Sequence, residues 1–280
     1  MEAAIPIETF EVFASGLDHP ECLAFDKDGA LWAGGEAGQI YRISPEGKVE
    51  QVTTLGSFNA GLAFSPTGEL FVCNPATGIV RVQPGGKFET FASHAGDHKL
   101  ICSNFGVFDS RGNCYVTDSG QWKKRNGCLC RFTPDGRGKT IAGPFGYANG
   151  LALSADEKLL YMVESDTNRV YRFRLHDDER PPDKHIHAEN VGRMPDGLAL
   201  DAHGNLYASC YASDEIWKIS PTGETSLFAW DAWAILLSRP TNLAFGGEDF
   251  DTMYVANLGR TTITRARLSL RGQRLNNQRI

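Results

Sequence analysis

The chain has 280 residues, a net charge of −6 and 41% hydrophobic content, which suits one domain with a sizeable core and argues against a nucleic-acid binder. No apolar run is long enough to span a membrane, and no basic-then-apolar leader opens the sequence. Seven cysteines, an odd number, fit a reducing, cytoplasmic compartment better than a disulfide framework.

The first predicted element is a strand over Glu8–Ser15, which resembles the stretch Phe88–Ser93 further along. A short pattern then recurs six times: PECLAFDKDGALWAGG, NAGLAFSPTGELFVCN, SNFGVFDSRGNCYVTD, ANGLALSADEKLLYMVES, PDGLALDAHGNLYASC and TNLAFGGEDFDTMYVAN. The copies lie roughly 45 residues apart, a period that signals a propeller, solenoid or array. Within a copy, two short apolar runs flank a turn such as Asp26-Lys27-Asp28-Gly29 or Asp201-Ala202-His203-Gly204, which predicts a hairpin. A third run alternates apolar and polar residues (IYRIS, IVRVQ, LCRFT, VYRFR, IWKIS), as a half-buried strand does. A fourth, more polar run follows most copies: VEQVTTL, FETFASH and ETSLFAW. Four antiparallel strands per unit and six units predict an all-β, six-bladed β-propeller spanning residues 1–280. The sixth copy ends with its third strand, Thr262–Leu268, so the N-terminal strand is expected to complete the last blade and close the ring.

One slot breaks the repeat. With the copies aligned on Phe25, Phe64, Phe108, Leu153, Leu200 and Phe245, the position four residues earlier holds Glu21, Ala60, Asn104, Asn149, Asp196 and Thr241. The first strand of each blade lines the channel of a propeller, so this slot forms a ring at one mouth. Carboxylates there cost desolvation and repel one another, and no Lys or Arg occupies the ring to neutralise them. A divalent cation on the axis resolves both problems. Oxygen donors from Glu21, Asn149, Asp196 and Asn104 select a hard ion, Ca²⁺ first, with Mg²⁺ or Mn²⁺ as alternatives. The competing reading is that Asn and Asp cap turns at strand starts. Asn59 and Asn242, each one residue out of register on opposite sides, read as turn residues, with a supporting role behind the metal ligands as the alternative.

The same face should carry the loops that shape a substrate pocket. His94–His98 precedes the Asn104 strand, and Trp230–Leu237 is too apolar for an ordinary exposed loop. With Trp122 and the Tyr211–Asp214 turn, these segments either wall a pocket for an apolar substrate, through His98, Trp122, Tyr211 and Trp233, or pack between blades. His19 and His98 are candidate proton shuttles or solvated loop residues. The strand cysteines, including Cys128 and Cys130 on one strand face, read as apolar packing, and no Cys/His cluster suggests zinc. The arginines at 260, 265, 267, 271, 274 and 279 read as solvated surface.

These residues resemble the senescence marker protein/gluconolactonase/luciferin-regenerating enzyme-like family, across all six repeats. The resemblance is most specific at Glu21 in HPECLAFD, Asn149 in YANGLALS and Asp196 in MPDGLALDAHGNLY, with Asn104 in CSNFGVFDSRGNCY at a further channel position. It implies a channel metal, Zn²⁺ included among the ions used by members. It also implies hydrolysis of lactones or other esters, with Asp196 as base as well as ligand. The chain departs from the sugar-lactonase pattern: Cys102 stands where those members carry Arg, Phe105 where they carry Asp, and Glu21-Cys22-Leu23 replaces Glu-Gly-Pro. Cys102 and Phe105 are therefore expected, with Asn104, to bind a substrate less polar than an aldonolactone. Two rival functions are a strictosidine-synthase-like condensation without metal catalysis and a non-catalytic, calcium-binding propeller. No obligate protein partner is inferred.

Overall fold

The computed structural model describes residues 2–176 and 180–278. Their strands form six four-stranded antiparallel sheets and one two-stranded hairpin, His94–Ala95 with His98–Lys99. The six sheets are the blades of a β-propeller. The inner strands are Cys22–Phe25, Gly61–Phe64, Ser103–Phe108, Ala148–Leu153, Pro195–Leu200 and Pro240–Gly246. The chain runs outward through each blade in sequence order, as the repeat predicts. Among the described residues no helix is long and apolar enough to cross a membrane.

The hairpins follow from their turn residues. Asp26 Oδ1 accepts the amides of Asp28 (3.0 Å) and Ala30 (2.9 Å). Asp109 does the same for Arg111 and Asn113, and Asp201 for His203 and Asn205. A short carboxylate that mimics the backbone turn is why Asp recurs there.

The ring closes through the N-terminus. Phe10–Ser15 pairs antiparallel with Thr262–Arg267, Phe10 opposite Ala266, and Glu11 meets Arg265 Nε at 2.7 Å. The strand is shorter than the sequence suggests, because Ile7–Thr9 turns as a single 3-10 turn. The seam between last and first blades is aromatic: the Tyr254 ring packs edge-on against Phe25 (5.1 Å) and Phe13 (4.9 Å).

Inner strands approach closely around the axis. A β-carbon at Gly61 would run into the Asn104 carbonyl, one at Gly150 into the Asp196 carbonyl, and one at Gly197 into that of Thr241. This explains why glycine follows the variable slot in those copies: each faces the next blade's slot backbone.

The C-terminal segment closes the channel at the other end. Gln273 donates from its amide nitrogen to the Leu200 carbonyl and from its side chain to that of Leu153 (both 2.9 Å). Asn276 Nδ2 reaches the Phe108 carbonyl (2.9 Å) and Asn277 Nδ2 that of Phe25 (2.8 Å). Four inner-strand ends are thus capped by one segment. Between this plug and the slot ring lies an apolar cavity of about 100 Å³, walled by Leu62, Phe64, Leu151, Leu198 and Leu243.

Of the arginines read as solvated surface, Arg265, Arg267 and Arg271 pair with Glu11, Asp251 and Asp249, and Arg274 lies over the Phe250 ring. Arg279 is outside the described residues.

Candidate functional site

The variable slot is built by two backbone devices. First, the inner strands slip register at it: between Ser103 and Gly106, Ala148 and Leu151, Pro195 and Leu198, and Pro240 and Asn242. Bulges of this kind re-aim a side chain, here at the slots of Asn104, Asn149, Asp196 and Thr241. Second, the residue two before the slot is left-handed in four blades: His19 (φ 40°), Tyr147 (φ 63°), Met194 (φ 53°) and Arg239 (φ 46°). Non-glycine residues in that region carry strain, and such strain clusters at ligand sites.

Both asparagines are oriented by a serine relay. Asn104 Nδ2 donates to Ser119 Oγ (3.0 Å), which donates to the Ala148 carbonyl of the next blade (2.6 Å). Asn149 Nδ2 donates to Ser165 Oγ (3.2 Å), which donates to the Pro195 carbonyl (2.7 Å). Each hydroxyl has spent its proton on a carbonyl, so it can only accept from the amide. The NH₂ of each asparagine is therefore fixed, and the amide oxygen is released toward other partners. Thr241 Oγ1 donates to the Glu21 carbonyl (2.7 Å), which ties the sixth blade to the first.

Glu21 and Asn149 are buried, and their oxygens Oε2 and Oδ1 have no hydrogen-bond partner. Asp196 is partly exposed at the same mouth, within hydrogen-bonding reach of Asn149. Burial first, and then the charge of Asp196, push the Glu21 carboxyl well above its ordinary range. Burial raises Asp196 to about 8, against the opposing hydrogen bond from Asn149. Two carboxyl groups without cationic partners, beside a buried amide oxygen without a donor, are stabilised as anions only when a cation replaces their protons. The donor set fits a hard divalent cation.

Tyr147 was not singled out by the sequence pattern. It sits between Trp122 (rings edge-to-face, 5.1 Å) and Cys102, and burial together with the charges around Cys102, Asp196 and Glu21 raises its phenol. Cys102 is part-buried beside the same mouth, its thiol pushed up to about 11 by burial and the Asp118 charge. Ser119 and Ser165 had a legible signal: among the six copies, serine occupies that position only in the two whose slot is asparagine.

Other expected residues lie elsewhere. Phe105 is buried in the core beside Tyr115, Leu129 and Leu151, and lines the axial cavity beneath the ring. Trp233 is 81% exposed, because its loop folds around Asp231, whose carboxylate accepts the amides of Trp233, Ile235, Leu236 and Leu237. Leu236 and Leu237 pack into the core while Trp233 and Ile235 face outward. Tyr211 is held by Arg239, Nη1 to Oη 3.2 Å. His98 points to Asp118, Nε2 to Oδ2 2.8 Å, and His19 to Asp18 (3.0 Å) and Glu36 (3.4 Å). Asn59 and Asn242 are buried rather than turn residues. Asn59 joins the first two blades through Gln39 and Asn74, and Asn242 Oδ1 has no partner.

The fold is similar to that of a calcium-binding protein, regucalcin, from Agrobacterium tumefaciens, with TM-score 0.82, 16% identity and 100% of each chain covered. Among curated relatives, a 6-deoxy-6-sulfogluconolactonase of Pseudomonas putida is 30% identical over 158 residues, 55% of this chain and 53% of the relative. A lactonase, drp35, of Staphylococcus haemolyticus is 34% identical over 128 residues, 44% of this chain and 39% of the relative. The chain thus spans about half or less of the length of the curated relatives it matches. The family profile described as SMP-30/Gluconolactonase/LRE-like region matches residues 19–259, nearly all of the six blades, and the chain belongs to that family.

Proposed function

We propose that the protein is a metal-dependent hydrolase of lactones or related esters, with Glu21, Asn149, Asp196 and Asn104 as the ligands of a divalent cation at the channel mouth. The observation that carries the reading is the pair of buried, unpartnered oxygens, Glu21 Oε2 and Asn149 Oδ1, on the ring that also holds Asp196. Calcium is the first choice by donor chemistry, since all donors are oxygens and two are carboxylates. Lactonase relatives support the substrate class.

A cation bound there supplies Lewis-acid polarisation of the ester carbonyl. The chain's own residues do the rest. Glu21 and Asn149 are rigid donors, one by burial and one by the Ser165 relay. Asp196, on the ring beside Glu21 and Asn149, is placed to take the proton of an attacking water. Tyr147, Trp122 and Cys102 offer an aromatic and weakly polar flank, which favours apolar or aryl lactones over sugar lactones.

The test is Asp196→Asn at saturating metal. Asparagine still offers an oxygen but cannot accept the proton, so turnover of an aryl lactone should fall ~10²–10⁴-fold while the metal still binds. Near wild-type turnover in excess metal would make Asp196 a ligand only and move the base elsewhere.

A further inference from the structure

We propose that the link between the fifth and sixth blades, Trp230–Leu237, is an interfacial anchor that seats the mouth face of the propeller on an anionic lipid surface. The link runs into Pro240–Gly246, the inner strand that carries Thr241 of the slot ring, so it lies on the face where the channel opens. It displays three large apolar side chains close together: Trp230 is 49% exposed, Trp233 81% and Ile235 59%. Other exposed apolar residues, such as Val12, Phe88 and Ile186, occur one to a strand on the outer edges of blades, which is ordinary for a protein surface. A cluster on one loop marks an interaction site.

The backbone enforces this exposure. The buried Asp231 carboxylate accepts the amides of Trp233 (3.0 Å), Ile235 (2.8 Å), Leu236 (2.6 Å) and Leu237 (3.0 Å), which pins the two leucines to the core and turns Trp233 and Ile235 outward. Ala234, between them, is left-handed (φ 50°), a conformation that costs any residue with a β-carbon. Arg260 clamps its carbonyl through Nε (3.1 Å) and Nη2 (2.8 Å). A buried carboxylate, a strained alanine and an arginine clamp thus hold two apolar side chains in water, where they add nothing to the fold.

The charge around the link indicates what covers it. Arg239 and Arg260 flank it, and Arg193 holds the neighbouring loop, its carbonyl accepting the Ala212 amide (3.2 Å). All three arginines are exposed, and none joins an ion pair among the described residues. The carboxylates of these loops are turned to loop donors instead: Asp214 Oδ1 accepts Arg239 N (2.7 Å), and Glu215 Oε2 accepts Ser213 Oγ (2.7 Å) and Trp217 Nε1 (2.8 Å). Tryptophan and isoleucine rimmed by arginine match the boundary of an anionic bilayer. The apolar side chains enter the headgroup–acyl boundary while the guanidiniums pair with anionic headgroups. A second copy of this chain would bring the same cations to a two-fold interface, where they repel. The anchor does not depend on the chemistry of the oxygen ring, but docking on this face presents the channel mouth to molecules dissolved in lipid.

The experiment mixes full-length protein with vesicles of equal parts phosphatidylcholine and phosphatidylserine, and separately of phosphatidylcholine alone, and reads co-sedimentation and tryptophan emission. The expected result is binding to the anionic vesicles with blue-shifted emission, weaker on neutral vesicles and in raised salt. Arg193→Gln and Arg239→Gln should each weaken binding by about fivefold. Trp233→Ala combined with Ile235→Ala should weaken it by roughly tenfold or more. Because both side chains face solvent, that double variant should melt within about 2 °C of wild type, which separates lost binding from lost fold. No co-sedimentation with anionic vesicles would overturn the proposal, as would binding that the double variant retains. Concentration-dependent dimerisation that the double variant abolishes, with vesicles left unbound, would overturn it in favour of a second copy as the occupant.

Discussion

At the scale of single residues, the channel mouth is a set of oxygens whose orientation is decided before any ligand arrives. Ser119 and Ser165 hold the amide groups of Asn104 and Asn149 by their nitrogens. Removing a relay hydroxyl frees the amide to rotate without touching the donor itself. Ser165→Ala should therefore weaken channel-metal binding ~10–100-fold, as loss of a second-sphere partner does, with an unchanged far-ultraviolet dichroism spectrum. Calorimetric affinity equal to wild type would show that Asn149 does not depend on the relay. Glu21→Gln should weaken binding more than Asn149→Ala, because it removes a negative charge facing the cation, and added metal should restore part of the activity.

The raised carboxyls at the mouth also fix the sign of a pH effect in chelated protein. An unfolded chain releases carboxyl protons near about 4. Folded, Glu21 keeps its proton well above that, and Asp196 keeps it to about 8. The folded state therefore binds more protons across this window, and its stability falls as pH rises through it. Thermal scans from pH 5 to pH 8, roughly the upper part of that window, should show Tm declining in chelator. Saturating calcium should flatten the slope, since the cation takes over from the protons. A chelated protein whose Tm rises over the same range would contradict the assignment of these two groups.

At the scale of elements, two segments outside the repeat hold it shut. The N-terminal strand Phe10–Ser15 completes the last blade and buries Phe10 and Ala14. Burying Phe10 is worth roughly 1.5–3 kcal/mol, and each kcal/mol moves Tm by about 2–4 °C in a domain of this size. Deleting the residues before Gly16 should lower Tm by more than about 5 °C, since the lost pairing adds to the lost burial. The C-terminal plug is a second, separable contribution. Replacing Gln273, Asn276 and Asn277 with alanine removes three side-chain caps worth about 1 kcal/mol each. The triple variant should melt earlier yet keep the wild-type KM, because the plug lies at the end of the channel opposite the slot ring. A changed KM with unchanged Tm would place the plug in the substrate path.

The two segments differ in how legible they were. The N-terminal strand could be read because Glu8–Ser15 resembles Phe88–Ser93, a fourth strand already identified by the repeat. The plug could not, because its caps are amide side chains on an irregular segment, and nothing local tells an asparagine which carbonyl it will meet. The slot residues were legible as an exception to a strong period. Phe105 shows the limit of that logic. It neighbours a slot residue in sequence, but alternation along the strand sends its side chain into the core. Trp233 fails for a different reason: the loop's apolar residues divide between core and solvent around Asp231, a split that composition alone does not reveal.

At the scale of the whole molecule, a six-bladed ring with one end plugged by its own C-terminal segment leaves the loop face as the approach to Glu21, Asn149 and Asp196. On that approach stand Trp122, Tyr147 and Cys102. The substrate ranking should follow: apolar and aryl lactones above gluconolactone in kcat/KM. Efficient turnover of gluconolactone with apolar lactones ignored would reverse that inference. The measurement closest to the central claim is turnover of an aryl lactone by the purified protein before chelation, after complete metal removal, and after calcium is restored, with metal content determined at each stage. Bound divalent metal is expected at the start, with loss of turnover on removal and recovery as one equivalent returns. Turnover that persists in fully metal-free protein would contradict metal dependence, and would favour a propeller that works by glutamate chemistry alone.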